Sequence, residues 1–504
     1  MWSTHVAYLL ALPLSSASAV NALQPKDYEP SLYQEGSCQQ ACETFASEYP
    51  GRLHYEDADT NFTIWDQKQL QTVYVCRVEP ASASEVSKVV QVLVDNWCRF
   101  AVKCGGHSRY PDDSVSVGGV TIDLGLINGT VVSDDRTTAR IGGGALTRQV
   151  FAALDPYGLG YVGGRVGQVG MGGFTLGGGT SVLSAKYGWA LDSVLEYEVI
   201  VLPNATIATV SENQHPDLYY ALRGGGNNFG IVTSFNVTVF PQGLVYAGSR
   251  TFGDDQTDRF LEEAEKIFTL EDAEDTNVVL EYRYAYSAAQ DRYTMSSTQR
   301  YAEPVSNPPA FDAMNAIPAL SNLSGGITSL AASTSFSGPL GQTRNIFASV
   351  AHYPSVELGK QAIRIFKDNV RSLGNMTGVN PELITYSIPA AAIENMKARG
   401  GNALGIDVKG HLVINLLSVS WANSTSDDAA YSFADHFIGD FRQAAESLGV
   451  LHPFIYINYA NKGQDVFSGY GEENKQKLIA IQKDIDPRGV FTSSGLWRGF
   501  FKVR

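Results

Sequence analysis

The stretch Gly163 to Gly179, GGRVGQVGMGGFTLGGG, decides how the rest of the chain is read. More than half of it is glycine, far too much for a packing element. Glycine costs backbone entropy and is kept where the chain needs positive φ or where something comes very close to the backbone. A loop so rich in free N–H groups is a natural cradle for a diphosphate. Upstream lies a second such loop, Cys104-Gly105-Gly106-His107-Ser108, with one histidine inside it. Turns alone account for many glycine-rich loops. Two of them, each between strand-like runs, point instead to a single bound dinucleotide, with His107 as the residue that holds it.

The chain of 504 residues is 44% hydrophobic and 18% charged, enough for a large core and better suited to two domains than one. Its formal charge of -15 argues against nucleic acid or an anionic membrane as partner. Residues 6–19 form a short apolar run ending in Ala17-Ser18-Ala19, the pattern of a secretory signal, although the basic lead-in is missing. We therefore assign residues 1–19 to a signal peptide. No stretch is long and apolar enough to span a membrane. Seven Asn-x-Ser/Thr triplets begin at Asn61, Asn128, Asn204, Asn236, Asn322, Asn375 and Asn423, which fits a secreted glycoprotein. The five cysteines agree. In an oxidising compartment, Cys38 and Cys42 pair with Cys76 and Cys98 in an order left open, and Cys104 stays free beside the glycine loop.

Residues 37–48 read as a helix, and Val73-Tyr74-Val75 begins a strand. Ser82 to Glu85 reads as a capping box ahead of a helix with apolar positions at Val86, Val89, Val90 and Leu93. Phe100, Val102 and Cys104 alternate into the histidine loop. Val194–Leu202 and Ile207–Val210 form a strand pair, and Phe229–Phe240 a long strand ended by Pro241-Gln242-Gly243. That break places a domain boundary at residue 243. Residues 244–450 mix strands (Val278–Tyr286, Ile346–His352, His411–Trp421) with amphipathic helices (Thr257–Leu270, Val356–Arg371, Asp427–Leu448), as a sheet with helices on one side. The last segment, 451–504, carries Tyr456-Ile457-Asn458-Tyr459 and Asp486-Pro487-Arg488-Gly489-Val490-Phe491.

Five phrases occur in order: Gly105-Gly106-His107-Ser108, VGQVGMGGFTLGGG, ALRGGGNNFGIVT at 221–233, YINY at 456–459 and DPRGVF at 486–491. Together they resemble the flavin oxidases of the berberine-bridge-enzyme-like group, within the vanillyl-alcohol-oxidase fold family, and fungal members most. The resemblance covers nearly all of the chain after the signal. It implies an α+β fold, with a two-part PCMH-type FAD-binding domain at 20–243 and a substrate-binding domain at 244–450. The C-terminal segment then returns to complete the FAD site. It implies FAD held covalently through His107, flanked by Gly105, Gly106 and Ser108. Val166 stands where bicovalent members carry a cysteine, so the linkage is expected to be single. Gly170, Gly172, Gly173, Gly177 and Gly178 are expected to line the diphosphate, Ile231 the adenine side, and Asn458 the flavin ring region. Val169 matches the position that gates oxygen. Tyr459, with Tyr456 second, is the expected base, on a strand that points the two side chains to opposite faces. A phenol acts as a base near neutral pH only beside a group that favours its charged form, and the sequence does not name that group. No metal is called for.

These implications amount to a secreted, monomeric FAD oxidase. A substrate carbon bearing oxygen or nitrogen gives hydride to the flavin, and O2 is reduced to hydrogen peroxide. The substrate is either a sugar or oligosaccharide, or an intermediate of secondary metabolism. For sugars, Tyr282, Tyr284, Tyr286 and Phe336 are the candidate stacking residues. The alternatives are a flavin-binding protein with little turnover and a dehydrogenase using another electron acceptor.

Overall fold

The computed structural model describes residues 36–201, 204–270, 275–334, 338, 340–374, 376–492 and 495–504. The signal-like run, Asn375 and Phe336 lie outside the described residues. Among the described residues no helix is long and apolar enough to cross a membrane.

A four-stranded sheet opens the fold, in the order Leu53–His54, Cys76–Val78, Val120–Asp123, Phe100–Lys103. The last three strands run parallel. The helix Ala83–Asp95 makes the crossover that parallel strands require. Ser82 caps it, its hydroxyl accepting from the Glu85 amide at 3.3 Å. Val86, Val89, Val90 and Leu93 are fully buried on its inner face, as their spacing requires. The strand expected from Val73 begins three residues later, at Cys76.

The disulfides are Cys38–Cys98 and Cys42–Cys76, tying the helix Gly36–Glu48 to this sheet. They close 60 and 34 residues of chain. Each removes about 4 kcal/mol of unfolded-state entropy on a chain-entropy reckoning. Cys104 is free.

A five-stranded antiparallel sheet follows, in the order Thr130–Val132, Thr138–Gly142, Ile231–Thr238, Val194–Val201, Thr206–Ser211. An eight-stranded antiparallel sheet then runs from Ser324–Thr328 at one edge to Leu451–His452 at the other. Its central strands are Val245–Gly253, Arg292–Tyr301, Val278–Ser287, Asn380–Ile388, Leu412–Trp421 and Arg344–His352. Strand residues alternate between faces. Leu280, Tyr282 and Tyr284 therefore pack into one core with the helices Thr257–Phe268, Val356–Val370 and Asp427–Ser447. Val279, Glu281 and Arg283 point the other way, into a large cavity. The mixed α+β architecture expected of the sequence is the one observed.

Candidate active site

One cavity of about 1450 Å³ runs between the glycine loops, the C-terminal segment and the free face of the eight-stranded sheet. A pocket for one small ligand is roughly 300–1,000 Å³. The volume here suits a dinucleotide together with a substrate.

The two glycine loops meet backbone to backbone. A Cβ on Gly105 would lie 2.5 Å from the Gly170 nitrogen and 2.8 Å from its Cα. Cys104 sits at this junction. Its thiol donates to the Gly143 carbonyl at 2.8 Å and accepts from the Gly172 amide at 3.3 Å. Burial pushes the thiol up to about 11, so it is held neutral as a packing group. Gly173 is different. A Cβ there meets nothing within 4 Å, because it would point into the cavity. Gly177 is pressed against Asn458, and Gly178, at φ +132°, against Trp189 and Tyr456. Gly105, Gly106, His107, Ser108, Gly170, Gly172, Gly173, Gly177 and Ile231 all border the cavity; Gly178 lies behind it.

His107 follows Gly106, which takes φ +66° and turns the chain inward. Its imidazole stacks on the Trp65 indole, 4.1 Å between ring centres and 8° from parallel. The Trp65 amide donates to the Gly106 carbonyl at 3.1 Å, so ring and loop are fixed together. Burial, and then the Arg109 guanidinium, push the imidazole down to about 3. It is neutral at any physiological pH, the form with a nucleophilic lone pair. Arg109 donates to the carbonyls of Asn458 at 3.2 Å and Ala460 at 3.2 Å, joining the histidine loop to the C-terminal segment.

The segment Tyr456–Tyr459 is a turn, closed by the Tyr459 amide on the Tyr456 carbonyl at 2.8 Å, and not the expected strand. The turn brings the two tyrosine rings to 4.7 Å, edge to face, where a strand would have separated them. Their surroundings still differ. The Tyr456 hydroxyl is buried and accepts from the Gly179 amide at 3.0 Å and from Asn458 Nδ2 at 3.0 Å. Burial raises this phenol further above its ordinary range. Tyr459 is only partly buried and its hydroxyl accepts from Arg165 at 2.8 Å. Arg165 also pairs with Glu281 at 3.3 Å and lies 4.3 Å above the Tyr386 ring. Val166 and Val169 border the same cavity, with the Val169 carbonyl held by the amide and hydroxyl of Thr147.

Arg165 is the basic partner that the motif reading did not supply. It sits in plain view in the organising loop, as a lone charge among glycines and apolar residues. Glu281 and Arg283 were also legible in principle. They interrupt an apolar strand at alternate positions, which places both on one face. Tyr282 and Tyr284, by contrast, are buried under the helices and do not reach the cavity. Tyr286 pairs with Tyr293 and Asp291 away from it. None of these three is a sugar platform.

The residues present fit FAD. Nine lysine and arginine side chains line the cavity against four carboxylates, on a chain whose net charge is -15. Arg109 Nε, Asn227 Oδ1 and Lys502 Nζ are buried beside it without a hydrogen-bond partner among the described residues. Such groups are costly to leave unpaired. A ligand with a diphosphate and several polar edges answers both observations.

Comparison with known proteins agrees. Residues 75–211 match the family model for an FAD binding domain. The FAD-dependent monooxygenase sdcF of Emericella nidulans is 32% identical over 440 residues, 85% of this chain and 90% of that protein. Among solved structures, the glucooligosaccharide oxidase of Acremonium strictum carries a 6-S-cysteinyl, 8α-N1-histidyl FAD. It superposes with a TM-score of 0.73 at 18% identity, over 92% of this chain and 99% of that one. The berberine-bridge-enzyme-like protein 1 of Physcomitrella patens gives 0.70 at 18%, over 90% and 97%. The protein is an FAD-binding oxidoreductase: it belongs to the family of these fungal FAD-dependent proteins and has the fold of the berberine-bridge-enzyme-like oxidases.

Proposed function

We propose that this protein is a secreted oxidase, taking a hydride and a proton from a carbon bearing a hydroxyl or amine and passing the electrons to O2. Bound FAD would supply the hydride acceptor and the reaction with oxygen. His107 would hold it through a single covalent bond at the 8α carbon. Its neutral, stacked imidazole suits that role, and Val166 offers no second link. Gly105, Gly106, Ser108, Gly170, Gly172, Gly173 and Gly177 would take the diphosphate side, Ile231 the adenine side and Asn458 the ring. Tyr459, entering the step as the phenolate, would accept the substrate hydroxyl or amine proton at its oxygen and become a neutral phenol. Arg165 donates to the same oxygen and is placed to pair with the phenolate before the proton arrives, in a site where solvent screening is weak. Tyr456 holds Gly179 and Asn458 in place beneath it. Val169, a small aliphatic, would leave O2 its approach.

The observation that carries this reading is the Arg165–Tyr459 hydrogen bond at 2.8 Å on the wall of a cavity that also holds His107 and Val169. Of the two substrate classes, the intermediate of secondary metabolism is favoured. Tyr282, Tyr284 and Tyr286 do not reach the cavity, and among the described residues Phe347 is the one aromatic side chain that the sheet presents to it, beside serine, threonine, asparagine, glutamate, arginine and aliphatic side chains. Secretion is supported by the two disulfides and by five sequon asparagines that stand exposed, at 61, 128, 204, 322 and 423.

A second reading comes from the curated relatives that are named monooxygenases. Peroxide release separates the two. An oxidase forms one peroxide per substrate oxidised and needs no nicotinamide. A product carrying an oxygen atom from O2, made only with NADH or NADPH present, would replace the proposal.

A further inference from the structure

The free face of the eight-stranded sheet carries a charge imbalance that the steps above leave unused. Glu281 is 6% exposed and is shared by Arg165 at 3.3 Å and Arg283 at 3.0 Å. Burial pushes its carboxyl up, and the two guanidinium groups overcome that and hold it below the usual range. Arg283 also reaches Glu382 at 3.6 Å. On the neighbouring strand, Thr298 stands opposite Glu281 and Arg300 opposite Val279, so Arg300 lies diagonal to Glu281. Diagonal neighbours on one face are within reach of long side chains.

Arg300 borders the cavity and donates only to two backbone carbonyls, Gln299 at 3.2 Å and Ser333 at 3.2 Å. It forms no ion pair among the described residues. Three guanidinium groups thus meet two carboxylates, and the surplus positive charge faces the substrate end of the cavity. Burial makes that charge expensive to keep; the attraction of Glu281 offsets part of the cost, and the repulsion of Arg165 and Arg283 adds to it. Buried charges persist when something pairs with them, and among the described residues no carboxylate forms an ion pair with Arg300.

We infer that Arg300 forms an anion subsite, and that the substrate is a small molecule with an ionised carboxylate at the end remote from the oxidised carbon. The assignment deepens the proposed function and rests on its placement of substrate in this cavity. A planar guanidinium takes a carboxylate in two parallel hydrogen bonds, so the subsite fixes orientation as well as affinity. The neighbouring Arg165 bonds Tyr459, which places the anchor and the proton acceptor on one connected wall. The acidic surface around a cationic pocket leaves the field strongest inside, where it draws an anion in.

Benzoate and benzamide, alike in shape and different in charge, are the probes. Titration calorimetry on the purified wild-type protein should show benzoate binding at least tenfold more tightly than benzamide. Arg300→Gln should remove that preference, and Arg300→Lys should keep part of it. Equal affinity of the wild type for the two probes overturns the subsite, and this comparison needs no variant to fold. An unchanged benzoate preference in Arg300→Gln overturns the assignment to Arg300. The visible spectrum of the same samples tests the underlying reading separately. A colourless protein whose benzoate preference still depends on Arg300 keeps the subsite and sinks the flavin; a yellow protein blind to charge does the reverse.

Discussion

Adding one methyl group at each of two glycines should have opposite effects on stability. At Gly105 the new Cβ lands 2.5 Å from the Gly170 nitrogen, where ordinary contact begins near 3.4 Å. Both neighbours are backbone, so the two loops must part. Overpacking of this kind costs about 1–3 kcal/mol. Gly173 lies inside the short helix Met171–Leu176 without positive φ, and a Cβ there meets nothing within 4 Å. Alanine there gains about 0.5–1 kcal/mol by cutting the entropy of the unfolded chain. The same chemical change should therefore separate the two variants by about 1.5–4 kcal/mol. Function should follow the opposite order for a bulkier residue. Gly173→Val leaves the fold near wild-type stability, because the β-branch gives back about half of the alanine gain. It does so while filling the cradle where the cofactor would lie. Urea unfolding of apoprotein from a riboflavin-starved host gives the stabilities. The ratio of flavin to protein absorbance in normally grown protein gives the loading. The reasoning fails if Gly105→Ala is as stable as wild type. It fails equally if Gly173→Val, folded and stable, carries a full complement of flavin.

Replacing Arg165 by Met removes a charge-assisted hydrogen bond to the Tyr459 oxygen, worth about 1.5–3 kcal/mol. Flavin bleaching by a working substrate under anaerobic conditions should slow roughly 10- to 150-fold. Tyr459→Phe should slow it as well, and the double variant should lose less than the product of the two; simple multiplication would show that the residues do not act together. Cys104, with its thiol pushed up to about 11, should resist iodoacetamide at pH 8 in the native protein and react in urea, as followed by mass spectrometry. His352 is 4% exposed, and its imidazole is pushed down to about 4 by burial. Below pH 6.5 the unfolded chain takes a proton that the folded one refuses. The stability advantage of wild type over His352→Gln should therefore shrink as pH falls from 6.5 to 4, by about 1.4 kcal/mol per pH unit. An advantage that is constant over this range contradicts the burial argument.

The glycine loops, the strands and the amphipathic helices were legible because each follows from a local rule. Val86, Val89, Val90 and Leu93 announce a helix by spacing alone. The disulfide partners were confined to four cysteines, but their order depends on how the helix Gly36–Glu48 lies on the sheet, which no local pattern fixes. Tyr456–Tyr459 misled because an alternation of large side chains reads the same in a strand and in a buried turn. The hydrogen bond from Tyr459 to Tyr456 across the turn decides between them. The aromatic residues of strand Val278–Ser287 misled for a related reason. Alternation told that Tyr282 and Glu281 face opposite ways, but not which face meets the helices. Arg165, Glu281, Arg283 and Arg300 come together from one loop and two strands, and only the folded sheet registers them.

The account turns on His107 as the tether of the cofactor. Protein denatured in acid, washed and digested should give a peptide spanning His107 whose mass exceeds its sequence mass by one FAD, while His107→Ala, equally folded, releases its yellow colour into the supernatant. Flavin freed entirely from the wild type, or retained in the His107→Ala pellet, contradicts it.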